Sequence, residues 1–156
     1  MIHGPVTFDH QSFSVGGQRI WLHSGEIHYF RHPSELWRDT LLRAKQAGLN
    51  AISTYFAWNF HEPEEGIFDF TGDRDIARFL DLCAELDLWV IARPGPYICA
   101  EWDGGGLPAW LLGKPGIRSR ENDPTFMKYT RLWFDQVLPM IAKRQASRGG
   151  SIILVQ

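Results

Sequence analysis

Polar and aromatic side chains collect at three places along this sequence, each directly after a run of β-prone residues. The runs end near Ile27, Thr54 and Arg93, and the residues that follow them are His28, Tyr29 and Arg31; Tyr55, Trp58, Asn59, His61 and Glu62; and Tyr97, Glu101, Trp102 and Asp103. Carboxylates and phenols exchange hydrogen bonds with hydroxyl groups, and flat aromatic rings pack against the apolar faces of sugars. The spacing therefore indicates a polar, aromatic site assembled from separate segments.

The elements that would position these side chains alternate between strand and helix. β-rich runs predict strands at 23–30, 49–56, 88–92 and 151–156. Helical spacing of apolar residues predicts helices at about 33–47, from Asp73 to about Leu86, and at 124–145. Strands this apolar, separated by helices, are typical of a parallel α/β sheet covered by helices.

Two segments with different architecture are expected. Residues 1–22 predict a short leading β-hairpin, because Gly16-Gly17 is a two-residue turn signal. Residues 23–156 fit either a doubly wound sheet or a barrel, and the lack of a G-x-G-x-x-G pattern after a strand favours the barrel. A complete (β/α)8 TIM barrel takes about 250 residues. Four parallel strands and three helices therefore predict its N-terminal half.

Three long motifs resemble the opening strands of glycoside hydrolase family 35. They are, in family order, SGEIHYFR at 24–31, TYFAWNFHEP at 54–63 and RPGPYICAEW at 93–102, the last continued by GGLPAWLL at 105–112. The final residues, GGSIILVQ at 149–156, resemble the start of a further family motif, with Ser151 where the family usually has proline. The resemblance extends from about Phe13 to Gln156.

This resemblance implies a retaining β-galactosidase that removes terminal non-reducing β-D-galactose residues and needs no cofactor. Retaining glycosidases use paired carboxylates about 5–5.5 Å apart, one attacking the anomeric carbon and the other protonating the leaving oxygen. The resemblance places both glutamates beyond Gln156. No catalytic residue is therefore assigned in this chain, and residues 1–156 alone, a truncated catalytic domain, are expected to be inactive.

The same resemblance implies that part of the galactose pocket lies within the chain, at Tyr55, Cys99, Ala100 and Glu101. The Glu101 carboxylate can accept bonds from two sugar hydroxyls, the Tyr55 phenol can donate and accept, and backbone groups at 99–100 can hold a hydroxyl. Without the motifs, Glu101 would be interpreted as a carboxylate bonded to loop amides, Tyr55 as a cap at a strand end and Cys99 as a small buried side chain.

Other residues of these motifs are predicted to support the site rather than to bind. The tryptophans are expected to pack under the loops, the carboxylates to pair with neighbours such as Arg31 or Arg93, and the histidines to be structural. These residues are Trp58, Trp102 and Trp110; Glu26, Glu62 and Asp103; and His28, His32 and His61. Because neither an HExxH helix nor a CxxC pair occurs, no metal site is predicted.

Composition argues against several classes of partner. The 16 Lys and Arg against 18 Asp and Glu give a net charge of −2, with no basic stretch for nucleic acid or anionic lipid. No apolar run approaches the ~20 residues of a membrane span, and no signal peptide is visible, so a cytoplasmic location is the default expectation. Cys83 and Cys99 are expected to be free thiols.

Two alternative functions stay open. One is a non-catalytic half-barrel that binds carbohydrate or associates with itself, because the first and fourth strands would expose open apolar edges. The other is a related TIM-barrel hydrolase of different sugar specificity, because specificity resides in loops that vary on a shared fold.

Overall fold

The leading segment is a small antiparallel sheet in the computed structural model, which describes residues 1–156. Its strands are β1 (Val6–Phe8), β2 (Phe13–Val15) and β3 (Gln18–Ile20). Gly16 and Gly17 join β2 to β3 with φ of 56° and 81°, the positive values that this two-residue turn requires. The predicted hairpin is confirmed, and β1 adds a third strand to it.

A four-stranded parallel sheet forms the main body. Its strands, in spatial order, are β4 (Ser24–Glu26), β5 (Ala51–Tyr55), β6 (Trp89–Arg93) and β7 (Ile152–Val155). The helices are α1 (Trp37–Gln46), α2 (Trp58–His61), α3 (Ile76–Glu85), α4 (Ala109–Leu112) and α5 (Pro124–Lys143). The long helices α1, α3 and α5 connect successive strands, which is the first half of a (β/α)8 barrel, as predicted.

The first barrel strand is shorter than the predicted range of 23–30. β4 ends at Glu26, and Tyr29–Arg31 form a single 3-10 turn. Tyr29 is fully buried, and its ring lies 6.2 Å from that of Trp37 and 5.8 Å from that of Phe79. Burial of this ring between two helices outweighs the local β preference, so the chain bends inward.

The second long helix also begins later than predicted, at Ile76 instead of Asp73. Asp75 is the residue that caps it, since its side chain accepts the Arg78 N–H at 2.8 Å. Asp73 instead accepts the Ser34 N–H at 2.7 Å and holds the segment that precedes α1. Either aspartate could cap the helix by its sequence position, and the contact of Asp73 with Ser34 leaves Asp75 as the cap.

Two apolar clusters hold the layers together. A cluster of 25 buried residues, including Trp37, Phe79 and Trp133, fills the space between the sheet and its helices. A second cluster joins the leading sheet to the amino ends of the parallel strands; it comprises Val15, Ala51, Trp89, Ala146 and Ile153. The leading sheet therefore packs at the end opposite to the polar residues that follow the strands. No helix has the length and apolar character that crossing a bilayer requires.

Candidate functional site

A concavity of about 250 Å³ opens at the carboxyl ends of β5, β6 and β7. It is lined by Tyr55, Arg93, Gly95, Tyr97 and Gln156. Tyr55 ends β5 and lies directly opposite Arg93, which ends β6, so the two side chains leave the same face of the sheet at the same height. This is the edge at which α/β barrels hold their ligands.

Arg93 organises the floor of this pocket. Its guanidinium donates to the Glu26 carboxylate at the end of β4, and its central carbon lies 3.7 Å from the centre of the Tyr55 ring. The Nε of Arg93 is buried and has no hydrogen-bond partner in the chain. An ion pair and a cation–π contact therefore fix the guanidinium and the phenol ring relative to each other.

His28 makes a second contact with Tyr55. Its Nδ1 accepts the backbone N–H of Tyr55 at 3.4 Å, and the two rings lie 5.3 Å apart. Burial lowers the pKa of His28, and the charges of Glu26 and Glu101 only partly oppose this effect. The imidazole is therefore neutral at pH 7, in the state that can accept this bond.

A tight left-handed turn follows Tyr97 and Ile98. Cys99, Ala100 and Glu101 have φ of 57°, 54° and 44°, and the turn closes with the Trp102 N–H donating to the Cys99 carbonyl at 3.1 Å. The backbone N–H groups of residues 99–101 donate to no acceptor in the chain. The exposed Glu101 carboxylate also has no partner there, so three amides and one carboxylate are free for an external ligand.

The structure divides the four predicted binding residues between two adjacent places. Tyr55 lines the pocket itself. Cys99, Ala100 and Glu101 form the left-handed turn, which begins two residues after Tyr97 of the pocket wall, and the Glu101 charge is close enough to His28 to oppose in part the lowering of its pKa by burial. Contact with sugar at these four residues stays a prediction.

Comparison with known proteins identifies the family. The sequence profile described as "Glycosyl hydrolases family 35" matches residues 12–156. The chain belongs to this family. The resemblance seen in the sequence motifs is thereby confirmed.

Curated relatives and a solved structure agree with this assignment. Human "Beta-galactosidase-1-like protein 2" is 50% identical over 145 residues, covering 93% of this chain and 23% of that protein. The "Beta-galactosidase" of Felis catus is 50% identical over 151 residues, which cover 97% of this chain and 23% of that protein. The chain thus spans about a quarter of these relatives. The fold matches GH5_18 of Streptomyces cattleya, solved with GlcNAc, at a TM-score of 0.66 and 14% identity, over 86% of this chain and 33% of that one.

Arg93, Tyr97 and Gln156 line the pocket of this family 35 chain, although sequence reasoning did not select them as binding residues. Arg93 and Gln156 each lie at the end of a barrel strand, and this position was the signal that could have identified them. Tyr97 was recognisable only as part of a polar cluster. Its ring packs so closely on Gly105 that a Cβ there would lie 2.0 Å from the ring, a contact the sequence does not reveal.

The supporting carboxylates of the family motifs have different partners. Glu26 pairs with Arg93, as predicted. Glu62 instead accepts the Trp58 Nε1–H at 2.5 Å and the Gly66 N–H at 2.8 Å, because the turn after α2 folds back over it and no arginine reaches it. The Asp103 carbonyl accepts the Asn59 side-chain amide at 3.0 Å, so this residue supports the loop through its backbone.

The structural role predicted for the histidines is confirmed most clearly at His61. Its Nδ1–H donates to the Asp69 carbonyl at 2.9 Å, so its Nε2 is the acceptor for the Tyr29 hydroxyl at 2.5 Å. Burial lowers the pKa of His61 to about 4 and raises that of Tyr29. Both groups are therefore neutral at pH 7 and lock the loop after β5 onto the core.

The tryptophans also follow their predicted packing role. Trp58 is fully buried, while Trp102 and Trp110 are partly buried against the main cluster with their indole N–H groups bonded to Asn59 and Glu62. Both cysteines are free thiols. Cys83 is buried, which raises the pKa of its thiol, whereas Cys99 is exposed.

Proposed function

We propose that this chain forms the first half of the catalytic domain of a retaining β-galactosidase and supplies one wall of its galactose pocket. The observation that carries the proposal is the polar concavity at the carboxyl ends of β5, β6 and β7, next to a turn whose amides and carboxylate lack internal partners. Relatives named beta-galactosidase that are 50% identical over 97% of this chain support galactose as the sugar.

In this proposal the chain binds and orients the sugar. The Tyr55 hydroxyl and the Glu101 carboxylate exchange hydrogen bonds with galactose hydroxyls, and the free amides of residues 99–101 hold one further oxygen. Arg93 keeps the Tyr55 ring in place through its stacking contact. Each group is fixed before the sugar arrives, which limits the conformational entropy lost on binding.

The acid/base and the nucleophile are proposed to come from later strands of the barrel, by analogy with retaining glycosidases. The chain covers 23% of its beta-galactosidase relatives, which leaves ample sequence in those proteins for both groups. Residues 1–156 by themselves should therefore show no turnover.

The test uses the polypeptide encoded by the complete reading frame, purified from a host that lacks β-galactosidase. Hydrolysis of p-nitrophenyl β-D-galactoside is expected to exceed that of the β-glucoside and β-mannoside by roughly 100-fold in kcat/KM. Proton NMR should detect β-galactose as the first product, as retention requires. Preference for another sugar would support a related hydrolase instead, and turnover by purified residues 1–156 would contradict the placement of the catalytic pair.

Self-association is a second candidate, favoured by one specific observation. β7 lies at the edge of the parallel sheet, and the Val155 side chain at its end is 51% exposed. Open, apolar strand edges pair readily with other chains. Sedimentation of residues 1–156 should then show concentration-dependent dimers that Val155→Lys abolishes, while a monomer at all concentrations would exclude this role.

A further inference from the structure

The left-handed turn at Cys99–Glu101 is a conformation that its own residues do not favour. None of the three is glycine, and all have φ between 44° and 57°, where the Cβ of an L residue crowds the following carbonyl oxygen. Nearby, the glycines at 104–106 also have positive φ, which glycine adopts without this crowding. Strained backbone of this kind persists only when surrounding contacts hold it.

Arg31 provides the contact that holds this turn. Its Nη2 donates to the carbonyl oxygens of Ala100 and Glu101, the latter at 3.4 Å. Carbonyl groups of a helical turn point away from its N–H groups, so a cation bound to the carbonyls leaves the amides open on the other side. Arg31 thus binds the carbonyl end of the turn, and the amide end stays open to a ligand.

The guanidinium of Arg31 is itself held by two aromatic rings. Its central carbon lies 5.5 Å from the Trp102 ring centre and 5.9 Å from that of Phe30, and these two rings lie 4.6 Å apart. The Trp102 indole N–H is in turn fixed by the Asn59 side-chain oxygen at 2.8 Å. A planar guanidinium can pack against rings while its fixed N–H groups donate to two carbonyls, whereas lysine offers a point charge on a flexible stem, so lysine is a poor substitute.

We propose that Arg31 is a positioning residue that keeps Cys99–Glu101 in the left-handed conformation in which their amides and the Glu101 carboxylate can bind the sugar. Arg31 follows β4, whereas the turn follows β6, so this contact ties together two loops 69 residues apart. It does not line the pocket and is not required to touch the sugar. The substrate part of this inference rests on the proposed function.

The first measurement compares Arg31→Met with Arg74→Met in the full polypeptide. Arg74 is a matched control, because it also lies over an aromatic ring (Phe60, 4.8 Å) and donates to a backbone carbonyl (Phe60, 2.6 Å) but does not contact the turn. We expect Arg31→Met to raise KM for the galactoside roughly tenfold with kcat within about threefold, since the lost contribution is to binding. Arg74→Met should leave KM within about twofold, even if it lowers Tm equally.

Conservative and compensating variants sharpen the result. Arg31→Lys should restore only part of the lost affinity. Ala100→Gly relieves strain at φ 54°, so the turn in this variant should depend less on Arg31. Arg31→Met should therefore raise KM by a smaller factor in the Ala100→Gly protein than in the wild type. Equal factors in both backgrounds would mean that Arg31 does not act through the turn.

Hydrogen exchange gives a readout that needs no substrate. The Trp102 amide closes the turn by donating to the Cys99 carbonyl, and we expect Arg31→Met to speed its exchange at least roughly tenfold while Arg74→Met does not. Unchanged exchange, or faster exchange with unchanged KM, would overturn the proposal. If the wild-type polypeptide hydrolyses no galactoside, the proposed function fails, and exchange alone then decides whether Arg31 holds the turn.

Discussion

Two glutamates follow neighbouring strands of the same sheet but differ in burial and in hydrogen bonding. Glu62, in the loop after β5, is 3% exposed and accepts hydrogen bonds from Trp58 and Gly66. Glu101, in the loop after β6, is exposed, and its carboxylate accepts no hydrogen bond within the chain. The first carboxylate is committed to holding its own loop, and the second is available to a ligand.

The difference extends to the rest of the two loops. The β5 loop buries its polar groups in closed networks, such as the one in which His61 bonds to the Asp69 carbonyl and to Tyr29 of the β4 loop. The β6 loop leaves three consecutive amides without partners and tolerates backbone strain at 99–101. Strain and unpaired polar groups concentrate at functional sites. The β5 loop is therefore expected to respond to mutation through stability, and the β6 loop through ligand binding.

The largest expected effect comes from the pH dependence of the β5 loop. Burial holds the pKa of His61 at about 4 in the folded state, below its ordinary value of 6.5, so the unfolded chain takes up the proton first. The stability contributed by neutral His61 is thus complete above pH 6.5 and is lost as the pH falls toward 4, by about 3 kcal/mol in all. Urea denaturation at a series of pH values measures this loss.

His61→Gln isolates that contribution. The carboxylates and His28 titrate in both the wild type and the variant, so their contributions to the free energy of unfolding cancel when the two proteins are compared. The free energy of unfolding of the variant should fall less steeply between pH 6.5 and 4 than that of the wild type. The control is His10→Gln, at an exposed histidine that makes no hydrogen bond within the chain, and its free energy of unfolding at pH 7 should equal that of the wild type. Parallel curves for His61→Gln and wild type would show that His61 is not held neutral by burial.

The second effect is on the Glu62 network. Glu62→Gln places an amide N–H₂ opposite either the Trp58 indole or the Gly66 amide, so either the buried indole N–H or the part-buried Gly66 N–H loses its acceptor. We expect the free energy of unfolding to fall by about 2 kcal/mol. The neighbouring, exposed Glu64→Gln should change it by less than about 0.5 kcal/mol. Similar free energies of unfolding for the two variants would mean that the Glu62 carboxylate does not stabilise its loop, and the contrast with Glu101 would be lost.

The sequence predicted the half-barrel better than it predicted the conformation and chemistry of the two loops. Strand–helix alternation and long family motifs identified the half-barrel, because apolar periodicity reflects the core directly. The capping choice between Asp73 and Asp75 and the inward bend at Tyr29 depended on contacts with distant segments. Such contacts carry no local signature, so these element boundaries could not be predicted.

The site was predicted in part for the same reason. Strand ends correctly indicated the edge of the sheet and the pairing of Glu26 with Arg93. Only the family resemblance separated Glu101, assigned to sugar binding, from Glu62, assigned to support, since the strand–helix pattern by itself places both residues after a strand. Nothing in the sequence indicated that 99–101 would be left-handed or that Arg31 would reach the turn, because both facts depend on how the β4 and β6 loops meet.

The third prediction concerns ligand binding by the β6 loop. Glu101→Gln weakens the acceptor offered to sugar hydroxyls without unpairing any group of the chain, so kcat/KM for the galactoside should fall roughly tenfold, about 1.4 kcal/mol. Thermal melting should be unchanged. Asp103→Asn, at a carboxylate that is also exposed and lies two residues away, is the matched control and should retain wild-type kinetics. A drop in melting temperature for Glu101→Gln would mean that this carboxylate, like Glu62, serves the fold.

The smallest expected effect is at Tyr55, where the two loops meet. Tyr55→Phe removes the hydroxyl but keeps the ring that stacks on the Arg93 guanidinium, 3.7 Å away, so the pocket floor should stay intact. Loss of one neutral hydrogen bond to the sugar should lower kcat/KM roughly three- to tenfold, about 1 kcal/mol. Tyr97→Phe, on the β6 side of the same pocket, tests whether the hydroxyl of Tyr55 is special. If both variants lose the same activity, the phenols contribute only to the general polarity of the pocket; if only Tyr55→Phe does, the end of β5 makes a directed contact with the sugar.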